Sequence, residues 1–228
     1  MQSLKINLNL IIATFFLSIS FFSCSDDDDT IINNELSFNN TMYTFKDGLV
    51  EDYGGYNPID SEEELVSHYN YDFTIADDEW TAVTSGIIGD YYNAQDATII
   101  LYVELLAPNS NSFQVGTFTY KDLNDLTRDD IEGSFFFEYL SIDINPGSEN
   151  EIVYEAISGT IVVTENSDLN YTLVYDVVVQ EVNNNTGELI ANTEQTVSFA
   201  YSGEFTYSDE REVDDSGRVI VGSSSSKR

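Results

Sequence analysis

The chain predicts an all-β fold, an antiparallel β-sandwich of about ten strands, and three observations carry that expectation. Short segments alternate apolar and polar side chains from Leu36 to Tyr207; no long segment repeats apolar residues at helical spacing; and Asn, Gly and Pro fall between the segments at turn-like intervals. A closed, calycin-like β-barrel produces the same pattern, and alternation alone does not choose between them. With 42% hydrophobic and 13% aromatic residues, there is ample apolar surface for one core in a single domain over 36–222.

The strands follow in order. Leu36 to Phe38 and Met42 to Phe45 make a hairpin around Asn39-Asn40, and Gly48 to Tyr53 is expected to end at a Gly54-Gly55 break. Ser61 to Ser67 reads as a short helix, because Ser61 and Glu64 have capping-box spacing. Tyr69 to Ile75 alternates cleanly, so one face is expected in the core and one in water. Ala97 to Leu106 (ATIILYVELL) is apolar on nearly both faces, as a central strand should be, and Pro108 stops it. Further strands are expected at 113–120, 133–142 and 157–164, with Pro146-Gly147 as a turn. Leu169 to Val182 and Leu189 to Tyr207 then flank Asn183-Asn184-Asn185-Thr186-Gly187 and read as one long hairpin. Residues 223–228 (SSSSKR) form a polar tail.

At the other end Lys5 precedes Leu10 to Phe22, an uncharged apolar run. A positive start and a short apolar middle describe a secretory signal peptide over 1–23, and the run is shorter than the roughly 20 residues of a spanning helix. Phe21-Phe22-Ser23-Cys24 resembles the lipobox of bacterial lipoproteins, in which a small residue precedes an acylated cysteine; Phe21 departs from the usual branched aliphatic residue. The resemblance implies lipid attachment at Cys24, where buried methylenes contribute about 0.8 kcal/mol each to anchoring. Ser25, Asp26, Asp27, Asp28 and Asp29 resemble the acidic export signal of surface lipoproteins from Bacteroidota, within a tether over 24–35. Asp29-Thr30-Ile31 is similar to the short O-glycosylation motif of the same bacteria. The runs GTIVVT, YTLVYDVVV and FAYSGEFTY resemble the closing strands of small uncharacterised β-rich lipoproteins of that group, which implies an outer-membrane, cell-surface-facing location and adds nothing on chemistry.

Charge excludes one class of partner. With 41 Asp plus Glu against 8 Lys plus Arg, the net charge is −33, and such a field repels phosphate backbones, so no nucleic acid is expected. Cys24 is the only cysteine, which removes intramolecular disulfides and cysteine-based zinc sites. The only histidine is His68, beside a strand, with no Gly-x-Ser-x-Gly turn anywhere, so His-dependent nucleophilic catalysis finds no support and His68 reads as structural or solvent-facing. Glycoside hydrolysis needs two placed carboxylates, and their abundance hides any pair.

Two weaker patterns remain. Asp122, Asn124, Asp125, Asp129 and Asp130 gather the oxygen ligands that Ca2+ prefers, but Leu126, Thr127 and Gly133 break the EF-hand spacing. Asp143, Asn145, Glu149 and Glu151 form a second such group. Trp80, after Asp77-Asp78-Glu79, and Tyr91-Tyr92 place aromatic faces beside carboxylates, a combination that can stack on a sugar ring; packing against a sheet is the structural reading of the same residues. A lipocalin-type Gly-x-Trp is absent, since Trp80 follows Asp78-Glu79. The sequence thus predicts a membrane-anchored, non-enzymatic binding or accessory module for a glycan or an envelope protein. A structural or adhesive surface protein is the alternative, and a glycan-active hydrolase stands behind both.

Overall fold

A computed structural model describes residues 32–59, 66–85, 89–109, 111–211 and 222–223, which belong to one unit starting at Ile32. The signal segment, Cys24 and the acidic run lie outside the described residues, as does nearly all of the helix expected over Ser61 to Ser67.

Asn39 and Asn40 both adopt left-handed backbone (φ 49° and 60°) and make the tight turn between β1 (Glu35–Phe38) and β2 (Thr41–Thr44). Next come β3 (Asp47–Asn57), β4 (His68–Ala76), the hairpin β5 (Thr81–Ser85) and β6 (Gly89–Asn93), β7 (Ile99–Ala107) and β8 (Thr117–Tyr120). After a short helix α1 (Arg128–Ile131) the chain runs through β9 (Phe136–Ile144), β10 (Ile152–Ser167), β11 (Asn170–Asn183), β12 (Glu188–Leu189), β13 (Gln195–Asp209) and β14 (Gly222–Ser223). The described chain is nearly all β, built on one large mixed sheet with a sandwich-like core.

Seven strands form an up-and-down meander, β3-β4-β7-β9-β10-β11-β13, with every neighbouring pair antiparallel. The last of them then pairs with the first, Phe205 opposite Gly48 through Asp209 opposite Asp52, so the ladders return to their start. An odd number of alternating strands cannot close antiparallel throughout. The β3–β13 seam is therefore parallel, and the sheet is mixed where alternation predicted only antiparallel neighbours. β8 adds a further parallel pairing with β9.

Strand β10 makes the corner of this circuit. Its first residues pair with β9 and its later ones with β8, while β11 accompanies nearly its whole length. Between the two partners lie a bulge at Ala156/Ser158 and Gly159 at φ +120°. A Cβ on Gly159 would stand 2.4 Å from the Asp176 carbonyl oxygen, so only glycine lets the strands cross this closely.

Inward-facing side chains fill one core. Phe73 of β4 meets Tyr171 of β11 and Phe205 of β13 edge to face, at 5.2 and 5.3 Å between centroids, which binds the two halves across the interior. Leu36, Phe38 and Phe45 of the β1–β2 hairpin join the same core, with Phe38 edge-on to Tyr154 and Phe45 stacked on Phe199. The hairpin thus closes one end of the circuit.

Several boundaries differ from the sequence reading. Gly54-Gly55 does not break β3: Gly54 (φ 80°) sits at a bulge after Asp52, its N–H held by Asp52 Oδ1 at 2.9 Å, and pairing continues to Tyr56. The expected strand at 113–120 shrinks to four residues, because Phe113 leaves the ladder to stack on Tyr71 and Phe118. The β11–β13 hairpin forms, with β12 folded onto the end of β11 inside a longer connection.

Candidate functional site

Among the described residues the end of the circuit opposite the β1–β2 hairpin is open, and aromatic residues line it. Tyr69 and Tyr71 come from the first turn of β4, Tyr171 from the start of β11, Tyr207 from the end of β13, and Phe113 from the β7–β8 connection. Together with Leu169, the exposed Glu165 and Asp168, and Ser112 and Val115, they surround a mouth of about 460 Å³. Tyr71 and Phe113 stack at 4.4 Å and 7°. Burial raises the Tyr71 and Tyr171 hydroxyls above the ordinary phenol range, Tyr171 to about 12, so both stay protonated.

Beneath the mouth lies Asp52, 3% exposed. Its Oδ2 accepts from the Tyr207 hydroxyl at 2.8 Å and the Tyr69 hydroxyl at 3.2 Å, while its Oδ1 takes the Gly54 N–H. The Arg211 Nε stands 3.8 Å away, and the same guanidinium holds Asp209 through two bonds of 2.7 and 2.6 Å. A buried carboxylate is tolerated only when its lone pairs are occupied. Asp52 meets that condition and, in doing so, fixes which way two wall hydroxyls point.

Leu169 adds a second unusual feature. It occupies left-handed backbone (φ 55°) in the tight β10–β11 turn, where Ser167 pairs with Asn170. A bulky residue there costs on the order of 1 kcal/mol or more, and such outliers gather at ligand sites. Its carbonyl accepts the Phe205 N–H at 2.8 Å and its side chain packs against the core, which is what holds it in place.

A second cleft of about 760 Å³ lies on the outer face. There β9 inserts two residues, Glu138 and Tyr139, opposite the single Glu104 of β7, a bulge that turns both toward the cleft. Glu155 follows on β10, its carboxyl raised by burial and lowered by a bond from Tyr139. Next to this cleft Glu51, Asp72 and Glu104 stand directly opposite one another across β3, β4 and β7. Asp72 and Glu104 are only 2% and 5% exposed. Like charges so placed repel; Asp72 is eased by donors from Asn70 Nδ2 at 2.9 Å and the Tyr102 hydroxyl.

The residues singled out from sequence fall elsewhere. Trp80 precedes β5, its backbone N–H on Asp47 Oδ2 at 3.0 Å. Tyr91 and Tyr92 are neighbours on β6, paired with Val83 and Ala82, so they point to opposite faces of the hairpin and cannot both join Trp80. Neither of the two clefts contains any of the three.

In the segment read for Ca2+, two of the carboxylates are engaged within the loop itself. Asp122 Oδ1 accepts from Asn124 N and Nδ2, and Asp130 bonds the Thr127 N–H and hydroxyl as a capping box. Leu123, Leu126 and Ile131 anchor the segment on Tyr56, Leu106 and Phe136, while Asp129 is exposed. The Asp125 side chain lies outside the described set. Among the described residues no three His, Cys, Asp or Glu side chains are placed to share an ion.

His68 is wholly buried, edge-on to Phe136 at 5.0 Å. Nε2 faces the Ser134 carbonyl at 3.2 Å, which can only accept, so Nε2 carries the proton and Nδ1 accepts from Ser67 Oγ at 2.8 Å. Burial lowers its pKa, leaving a neutral structural histidine. Sequence reasoning missed Asp52, Asp72 and Glu104. The available signal was a lone acid inside an otherwise apolar run, as Glu104 is within ATIILYVELL.

No family model, curated protein or solved structure matches the chain. Among the described residues no helix is long and apolar enough to cross a membrane.

Proposed function

We propose that this protein is a non-enzymatic binding module, lipid-anchored through Cys24 at the outer cell surface, that holds one ring or chain end of a glycan in the aromatic mouth. One observation carries the reading: the buried Asp52 orients Tyr69 and Tyr207 at an open, aromatic-walled end of the core. Ligand sites favour the mouths of closed sheets, where a few placed polar groups sit among apolar walls. A sugar ring offers what such walls accept, an apolar CH face and hydroxyl protons. Asp52 is saturated by its donors and so acts as a positioning residue.

Adhesion through strand edges finds less support. The meander's first and last strands pair with each other over Phe205–Asp209, so the circuit leaves only partial edges, such as residues 195–204 of β13, which pair with β11 alone. For anchoring, the lipobox-like Cys24 and the following Asp26 to Asp29 remain the grounds.

Glycan-array binding by the mature protein tests the site. Loss of binding in Tyr71→Ala, with retention in Trp80→Ala, is the expected result; the reverse pattern, or retention in both Tyr71→Ala and Tyr171→Ala, overturns the mouth as the site. Cys24→Ser should abolish labelling by a fatty-acid probe, and continued labelling would remove the anchor.

A further inference from the structure

We infer that the mouth selects an ammonium-bearing ring, an amino sugar, over its uncharged counterpart and rejects acidic sugars; the inference rests on the glycan-binding reading above. Hydrogen-bond direction makes the first part of the case. A phenol has one proton to donate. Tyr207 and Tyr69 both turn theirs down to Asp52, so what they present to the mouth is lone pairs. At these two hydroxyls a ligand has to bring the donor.

Charge makes the second part. Glu165 and Asp168 stand exposed at the rim, on the strand end and turn that also carry Leu169, and among the described residues no Lys, Arg or His lines the mouth. The nearest cation described, Arg211, lies beside Tyr69 and Asp52, its guanidinium bonded twice to Asp209 and 3.8 Å from Asp52, so its charge is already countered. A carboxylated or sulfated sugar would meet two carboxylates and no compensating cation. An ammonium would meet those carboxylates together with tyrosine faces, the surroundings that hold organic cations. The chain's −33 charge adds long-range attraction in the same direction.

Asp168 shares the tight β10–β11 turn with Leu169 and lines the mouth together with Tyr171 and Phe113.

The test is calorimetric titration of the mature protein with three oligosaccharides at mildly acidic pH: glucosamine oligomers, their N-acetylated equivalents, and oligogalacturonate. Glucosamine oligomers should bind about tenfold more tightly than the acetylated ones, the difference should shrink with added salt, and oligogalacturonate should not bind. Combining Glu165→Gln with Asp168→Asn should bring the ratio of amine to acetylated affinity close to unity, and a preference that persists in this variant would overturn the role of the two carboxylates. Equal binding of the amine and acetylated forms, lost in Tyr71→Ala, would overturn the amine preference while leaving the glycan site standing. Oligogalacturonate binding as tightly as glucosamine would overturn the charge argument. No binding by any of the three would remove the glycan reading and this inference together.

Discussion

Buried carboxylates are the residues on which this structure depends most, and each is handled differently. Asp52 is satisfied by three hydrogen-bond donors, and Asp72 is eased by an amide and a phenol. Asp143 is less well served: its Oδ1 is buried without a hydrogen-bond donor. Burial pushes its carboxyl from the ordinary carboxylate range up to about 6, opposed by a bond from Ser141 and reinforced by Glu151 and Glu155. Below the unfolded value both states hold the proton and nothing is lost. As pH rises from there through about 6 the unfolded chain ionises first, so a penalty develops and then stays constant. Asp143→Asn should therefore stabilise the protein by about 1–2 kcal/mol at neutral pH and leave it nearly unchanged near pH 4. Urea denaturation at the two pH values measures this, and an equal gain at both would show that ionisation is not the cause.

At the scale of elements, β10 decides the shape. A strand serving β9 at one end and β8 at the other has to bend, and the bend is made by the Ala156/Ser158 bulge and the φ of Gly159. An added Cβ would strike the backbone of β11, at Asp176 O and at Val177 Cα 2.5 Å away, where no side chain can move aside. Gly159→Ala should destabilise by roughly 2–4 kcal/mol, far more than a glycine-to-alanine change in an ordinary strand. A loss below about 1 kcal/mol in thermal or chemical denaturation would mean that the corner relaxes. The outer-face bulge of β9 works on the opposite principle, adding a residue to turn Glu138 and Tyr139 together toward the cleft.

For the whole molecule the decisive feature is the parallel seam between β3 and β13, which makes a ring of what would otherwise be an open sheet. Phe205 lies across Gly48 at this seam, with ring atoms 2.5 Å from where a Cβ would be, so the first long strand accepts the last at close range. Hydrogen exchange should then show Thr206 and Ser208 amides as protected as those of β4 in the middle of the meander. Exchange at the rate of a solvent-exposed edge would mean that the ring is open in solution.

The sequence by itself determined the β class, most strands and the hairpin turns, because side-chain period and turn chemistry are local: Asn39-Asn40 needed no distant partner, whereas the face of β4 expected in water, Asn70, Asp72 and Thr74, is buried as well. It left His68 as either structural or solvent-facing, and its burial edge-on to Phe136 decided the first. The mouth was not legible in that way. Asp52, Tyr69, Tyr171 and Tyr207 are far apart along the chain and look like four more acids and tyrosines among many. The weight placed on Trp80 and Tyr91-Tyr92 came from nearness in sequence, which the pleat of β6 undoes. Only the tertiary structure decided that the meander closes, that the closure is parallel, and that one open end gathers these side chains over a buried carboxylate. A ring's closure and the residues at its rim depend on registers between distant strands, and no local pattern encodes them.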